Sequence, residues 1–172
     1  MPELLRAFRF EVELFSSQQA AIGAVGAASG APAGRKIGDG GFQECSGLEL
    51  EAEVQEFLEG GRNDEVIRRP GRVKLQPLVL KRGMFSTTDG GTGDGELWHW
   101  FQAVVAGERP IERLDGLVSI IHPSGTPVSA SWGFWRGLPL RIKGPTLNAE
   151  SGDIAVEELH IAPEGLRLLS GT

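Results

Sequence analysis

The chain has 172 residues and a formal net charge of -6, from 17 Lys and Arg against 23 Asp and Glu. That length suits one domain with an adequate core, and the acidic balance argues against a grip on nucleic acid driven by counterion release. The lone cysteine, Cys45, excludes an internal disulfide and a multi-cysteine metal site.

The first strand is expected over Leu5–Phe15, where Phe8, Phe10, Val12 and Leu14 alternate with Arg9, Glu11 and Glu13. The N-terminal MPELLRAFRF has no apolar leader core, and no run reaches the roughly 18 apolar residues of a membrane span. The expectation is a protein made in the cytoplasm without a signal peptide or membrane anchor. Residues 16–40 hold six Gly and seven Ala, too little apolar bulk for a core face, and read as a long insert loop within a single domain of residues 1–172.

The stretch Gly41–Gly61 turns at Gly41-Phe42, passes Ser46-Gly47-Leu48 and then alternates. Leu48, Leu50, Ala52 and Val54 fall on one side, Glu49, Glu51, Glu53 and Gln55 on the other. That period predicts a strand with one buried and one acidic face. Asn63–Pro70 reads as a polar connector ending in the turn Arg68-Arg69-Pro70-Gly71. A strand over Val73–Lys81 follows; Pro77 makes it an edge or a bulged strand, and Lys81-Arg82 leaves a positive patch at its end.

After the Gly/Asp/Thr loop of Ser86–Gly95 comes one helix, about residues 95–106. Leu97, Trp100, Phe101, Val104 and Val105 form its apolar stripe, Asp94 is placed to cap it and Gly107 to end it. Arg113–Ile121 and Thr126–Trp135 form a hairpin around His122–Gly125, with Val128, Ala130, Trp132 and Phe134 on one face. Pro139–Lys143 reads as a separate short strand and Gly144–Asn148 as a turn. Asp153–Ala162 is the last long strand, with a bulge inferred from the phase shift between Val156 and Leu159. Leu166–Leu169 closes the chain. The core expected from this pass is Phe8, Phe10, Val12, Leu97, Trp100, Phe101, Val104, Trp132, Phe134, Ile154 and Val156. The fold class is mainly β: an antiparallel barrel or sandwich of two packed sheets with one flanking helix.

Catalytic patterns are weak. The loop Asp89–Glu96 lacks the Gly-Lys-Ser/Thr ending of a phosphate loop and the alternating oxygen ligands of a calcium loop. His99, His122 and His160 lack metal-ligand spacing, and Ser46 lacks a nucleophile elbow. Glu157 and Glu158 are adjacent and point to opposite faces of a strand. No catalytic residue, cofactor or metal is expected. Trp98 and Trp135 are out of phase with the core, which suits burial against another subunit.

With these landmarks the sequence resembles the contractile-tail tube proteins, the inner-tube subunits of myophage tails and of phage-tail-like contractile injection systems. The matching pieces are Phe8-Arg9-Phe10-Glu11-Val12, Gly41-Phe42-Gln43-Glu44-Cys45-Ser46-Gly47-Leu48, Phe57-Leu58-Glu59-Gly60-Gly61 with Asn63, Pro70-Gly71 and Leu80-Lys81-Arg82-Gly83. Leu97-Trp98, Trp132-Gly133-Phe134, Pro139, Gly144-Pro145, Leu147-Asn148-Ala149, Ile154-Ala155-Val156-Glu157 and Glu164-Gly165-Leu166 complete the set. The resemblance implies a hexameric-ring fold, with rings stacked into a hollow tube inside a sheath and neighbouring subunits sharing a β-wall. It implies as partners other copies of the chain, sheath, baseplate and terminator or cap proteins, and a DNA or protein-effector cargo. No specific nucleic-acid binding is implied.

On this reading the inter-subunit contacts are Phe42, Glu44, Ser46, Leu48, Phe57, Glu59, Arg62, Asn63, Lys81 and Arg82, and the lumen-facing residues are Glu49, Glu51 and Glu53. The particle would be a virion or an injection device. The long insert departs from the family pattern and suits a baseplate-proximal tube initiator as well as a bulk subunit. Two other readings are a secreted hexameric ring of the type VI secretion kind, and a monomeric β-barrel binding domain or hydrolase.

Overall fold

The computed structural model of the chain describes residues 7–17, 34–37, 41–58, 61, 65–84, 93–122, 128–150 and 152–169. Among these residues nine strands and one helix run in the order β1 (Phe10–Ser16), β2 (Phe42–Ser46), β3 (Leu50–Phe57), β4 (Ile67–Leu75), β5 (Leu78–Gly83), α1 (Gly93–Val105), β6 (Leu114–Ile121), β7 (Val128–Lys143), β8 (Val156–Ala162) and β9 (Gly165–Leu169). Seven strands join in the order β1-β6-β7-β8-β5-β2, with β9 added to β7; β3 and β4 form a separate two-stranded ribbon. Every pairing between these strands is antiparallel.

β7 ties the larger assembly together. Its first half pairs with β6 and β9 and its second half with β8. The separate strand expected from Pro139 is therefore the continuation of β7. The chain bends there without stopping, because Trp135 and Arg136 together lie opposite Asp115, a bulge that kinks the strand. Arg136 takes a φ of 53°, and its N–H donates to Asp115 Oδ1 at 2.7 Å. Two glycines make the crossing possible. A Cβ on Gly116 would lie 2.2 Å from the Phe134 ring, and one on Gly137 2.4 Å from Ile161.

The interior is filled by Val12 and Leu14 of β1, Leu78 and Leu80 of β5, Leu97 and Trp100 of α1, Leu114 and Val118 of β6, Phe134 of β7, and Leu159 and Ile161 of β8. Phe10 and Trp132 pack against this core from partly buried positions. The helix follows the expected stripe in part: Phe101 and Val104 are half-buried, while Val105 is exposed near the helix end. The helix already begins at Gly93, so Asp94 lies inside its first turn. Gly107 (φ 78°) ends it. Gly107 N–H bonds Val104 O at 3.0 Å and Glu108 N–H bonds Ala103 O at 3.0 Å, the paired closure that satisfies the last carbonyls.

Two expected core residues are corrected. Phe8 precedes β1 and is 65% exposed, because the strand starts only at Phe10. Ile154 precedes β8 and is 79% exposed. In β8 the inward positions are Glu157, Leu159 and Ile161, which leaves Val156 half-buried. The bulge expected between Val156 and Leu159 is absent from the β5–β8 register, which runs unbroken from Leu78↔Ile161 to Gly83↔Val156. The apolar phase changes because Glu157, paired with Arg82, occupies an interior position.

The stem of the insert is described, while residues 18–33 and 38–40 lie outside the described residues. Ser16 N–H donates to Arg35 O at 2.8 Å, Phe15 bridges Lys36, and Ile37 is buried. Arg35 reaches Glu96 of α1 at 3.2 Å, and Ser16 Oγ donates to Glu112 at 2.7 Å.

Candidate assembly surface

β3 was expected to be a half-buried strand, and β4 a connector and turn up to Gly71 followed by the start of a strand over Val73–Lys81. That strand is instead split at Gln76-Pro77 between β4 and β5, because Pro77 cannot donate to a ladder. β3 and β4 form a ribbon whose β3 residues are all exposed. Arg68–Gly71 lie within β4. Pro70 and Gly71 are tolerated there because the register slips between Ala52↔Val73 and Val54↔Pro70, a bulge on a strand whose far edge is unpaired among the described residues.

The register sorts the side chains into two faces, since directly opposed residues share a face. One face carries Leu50 with Leu75, Ala52 with Val73, and Val54 with Pro70, and ends at Glu56 with Arg68. The other carries Glu51 with Lys74 and Gln55 with Arg69, and ends at Phe57 with Ile67. The apolar face is open: Leu50 is 60%, Val54 61% and Val73 60% exposed. At its root Leu75 and Leu48 pack against the barrel core.

The charged face is mixed. Lys74 pairs with Glu53, Gln76 Nε2 donates to Glu51 at 3.4 Å, and the Arg69 guanidinium lies 5.1 Å from the Phe57 ring centre. At the end of the other face Arg68 meets Glu56 at 3.0 Å. The expected acidic surface of Glu49, Glu51 and Glu53 is thus exposed, but Glu53 is paired with Lys74 of β4 and Glu51 accepts from Gln76 just past β4.

The other residues expected at subunit contacts divide. Ser46 is exposed, and Glu44 accepts from Lys81 Nζ at 2.9 Å within the chain. Glu59, Arg62 and Asn63 lie outside the described residues. Phe42 and Arg82 are corrected. Phe42 belongs to the core, and Arg82 is 2% exposed. The guanidinium of Arg82 is buried against Glu157, itself 3% exposed, and Trp98 Nε1 donates to the other carboxylate oxygen at 2.9 Å. This cluster joins β5, β8 and α1, so the positive strand end offered outward is Lys81 alone. Trp98 and Trp135 also find partners in their own chain: a Cβ on Gly133 would meet the Trp135 ring at 2.8 Å. Sequence reasoning missed the buried pair. Its only signal was the broken apolar phase at Glu157.

Burial and the neighbouring Glu44 push the Cys45 thiol up to about 11, as expected for a packed rather than a reactive cysteine. On the outer face of β8, His160 hydrogen-bonds Glu158 and holds that carboxyl below its ordinary value, helped by Lys143 and Lys81. The three histidines lie on separate elements, and among the described residues no three His, Cys, Asp or Glu side chains are grouped to hold a metal.

A barrel filled by its own side chains, beside a ribbon with an open apolar face, has known counterparts. The family model of the T4-like virus tail tube protein gp19 matches residues 6–167. The chain belongs to that family. Among solved structures, this tail tube protein is similar to a chain of the extracellular contractile injection system PVC sheath–tube complex in the extended state, at 21% identity and a TM-score of 0.72, covering 97% of this chain and 92% of that one. A chain of the anti-feeding prophage baseplate, 6-fold symmetrised, gives 20% identity and a TM-score of 0.74, covering 99% and 98%. A type six secretion system protein shares the fold more distantly, at 10% identity and a TM-score of 0.52, covering 92% and 82%. No curated protein matches the sequence.

Proposed function

We propose that this tail tube protein is the repeating subunit of the inner tube of a contractile tail or contractile injection system. As one tube domain, its copies close into six-membered rings, and the rings stack into a conduit for DNA or a protein effector. The observation that carries this reading is the β3–β4 ribbon: in a chain of this family, its Leu50, Val54 and Val73 lie open to water, as a surface awaiting a partner would. A neighbouring copy covers the apolar face, and the charged face of Glu51, Glu53, Arg69 and Lys74 looks into the lumen. With those charges balanced on the wall, cargo slides past without being held.

The role is mechanical. The stacked rings transmit the thrust of a contracting sheath, and no bond is made or broken by the chain. Sheath, baseplate and terminator proteins are its partners in the particle, in keeping with the sheath–tube and baseplate complexes that contain its structural neighbours. None of the described helices is long and apolar enough to cross a membrane.

The test is expression of the full chain alone, followed by mass photometry and negative-stain microscopy over a range of concentrations. Rings or tubes with a central hole are expected. A single copy at every concentration overturns the reading.

A further inference from the structure

Charge is divided between the two strands of the ribbon. β3 carries Glu51, Glu53 and Glu56 and no cation, with Glu49 just ahead of it. β4 carries Arg68, Arg69, Arg72 and Lys74 and no carboxylate. The salt bridges Lys74–Glu53 and Arg68–Glu56 neutralise part of this within the chain. Glu49 and Arg72 are exposed, and neither outer edge of the ribbon is paired among the described residues. The ribbon therefore has an acidic open edge on one side and a basic open edge on the other. Open edges of this kind are templates for pairing with another chain.

We propose that this polarity sets how copies join: the basic β4 edge of one copy lies along the acidic β3 edge of a second copy. This rests on the ring reading and specifies its contact. Pairing like edges about a two-fold axis sets cations against cations or carboxylates against carboxylates, which destabilises a sheet. Pairing unlike edges matches the charges and rejects the wrong partner. The consequence is geometric. A two-fold contact ends at two copies, whereas a contact between unlike edges repeats head to tail and closes a ring. Rotation about the ring axis keeps the same ribbon face outward in every copy, so the apolar faces carrying Leu50, Val54 and Val73 run side by side from copy to copy.

The experiment uses the full chain and two variants that spare the salt bridges inside the ribbon, R69E/R72E and E49K/E51K. Far-UV circular dichroism and thermal melting establish that each is folded, and mass photometry reads assembly. Each variant alone is expected to need at least about tenfold more protein for half-assembly than the wild type. With Lys74–Glu53 and Arg68–Glu56 paired inside the ribbon, the remaining charges of each variant then have the same sign on both edges. An equimolar mixture recovers assembly, because the acidic β4 edge of one variant meets the basic β3 edge of the other, and native mass spectrometry finds the two alternating in equal number. Wild-type assembly also weakens as salt rises from about 0.05 M to 0.5 M. Folded variants that each assemble like the wild type overturn the proposal and leave the ring reading standing. Folded variants that fail alone and also fail when mixed overturn it as well. A wild-type chain that stays single at all concentrations removes the ring reading itself.

Discussion

Replacing Arg82 by Met tests the interior of this protein most sharply. Arg82 and Glu157 are 2% and 3% exposed and directly paired, with the Trp98 indole on the second carboxylate oxygen. Taking away the guanidinium leaves a buried carboxylate without its counter-charge, a change that costs about 3–5 kcal/mol. At about 2–4 °C per kcal/mol for a chain of this size, the melting temperature falls by about 6–20 °C. The variant R82M/E157L removes both charges and returns to within about 1–2 kcal/mol of the wild type, because a well-packed apolar pair does as well as a buried ion pair. The measurement is a double-mutant cycle by urea unfolding, followed by tryptophan fluorescence. It is made where mass photometry shows single copies, since assembly adds stability by mass action. Two results refute the reasoning: a cost for R82M below about 1 kcal/mol, meaning that water already reaches the pair, or a double variant as damaged as the sum of the singles.

Val54→Ser and Val73→Ser leave the melting temperature of the isolated subunit within about 2 °C, as for exposed sites in general, yet weaken assembly measured by mass photometry. Gly47→Ala costs more than about 2 kcal/mol in urea unfolding, since Gly47 has a φ of 87° and its Cβ would fall 2.1 Å from Pro77 O. Iodoacetamide labels Cys45 slowly at pH 8 in the folded protein and at an ordinary rate after unfolding, because the folded thiol stays protonated up to about pH 11. Glu158 has a lowered pKa when folded, so its contribution is present above the unfolded value of about 4.3 and is lost as pH falls through the folded value. His160→Asn, which removes the main cause of that lowering, flattens the acid limb of a melting-temperature profile below about pH 4 and lowers the melting temperature above it, where the wild type has that contribution in full.

Much of the barrel was legible because its elements obey one period at a time. The stripe Leu97-Trp100-Phe101-Val104 finds the helix, and Val12 and Leu14 find the inner face of β1. Errors came where a single chain's pattern has two causes. Pro139 after Arg136-Gly137 looks like the start of a new strand, yet those residues bend β7 from one set of partners to the next. The Arg68–Gly71 turn signal is a bulge in β4. Phe42 was placed at a subunit contact by the resemblance to the tube family; the packed barrel shows that it is core. The buried Glu157 was hidden because a carboxylate on a strand is normally taken to face water, and its partner Arg82 is distant in sequence.

The alternation Leu48-Leu50-Ala52-Val54 predicts a buried face that the chain does not itself supply from Leu50 onward, and a period of two carries no information about which molecule would bury it. Within one chain those residues from Leu50 onward stay open, and the charges around them fall by strand: acidic on β3, basic on β4. A monomer gains nothing from that segregation, because mixing the signs along each strand would supply the same internal salt bridges. Segregation matters only between chains, where it makes the two edges of the ribbon unlike. The same stretch thus violates the rules for a free-standing domain twice, once by exposing apolar surface and once by sorting its charge; the proposed head-to-tail contact answers the second by matching unlike edges, and it aligns the apolar faces into one continuous surface for the rest of a neighbouring copy to cover.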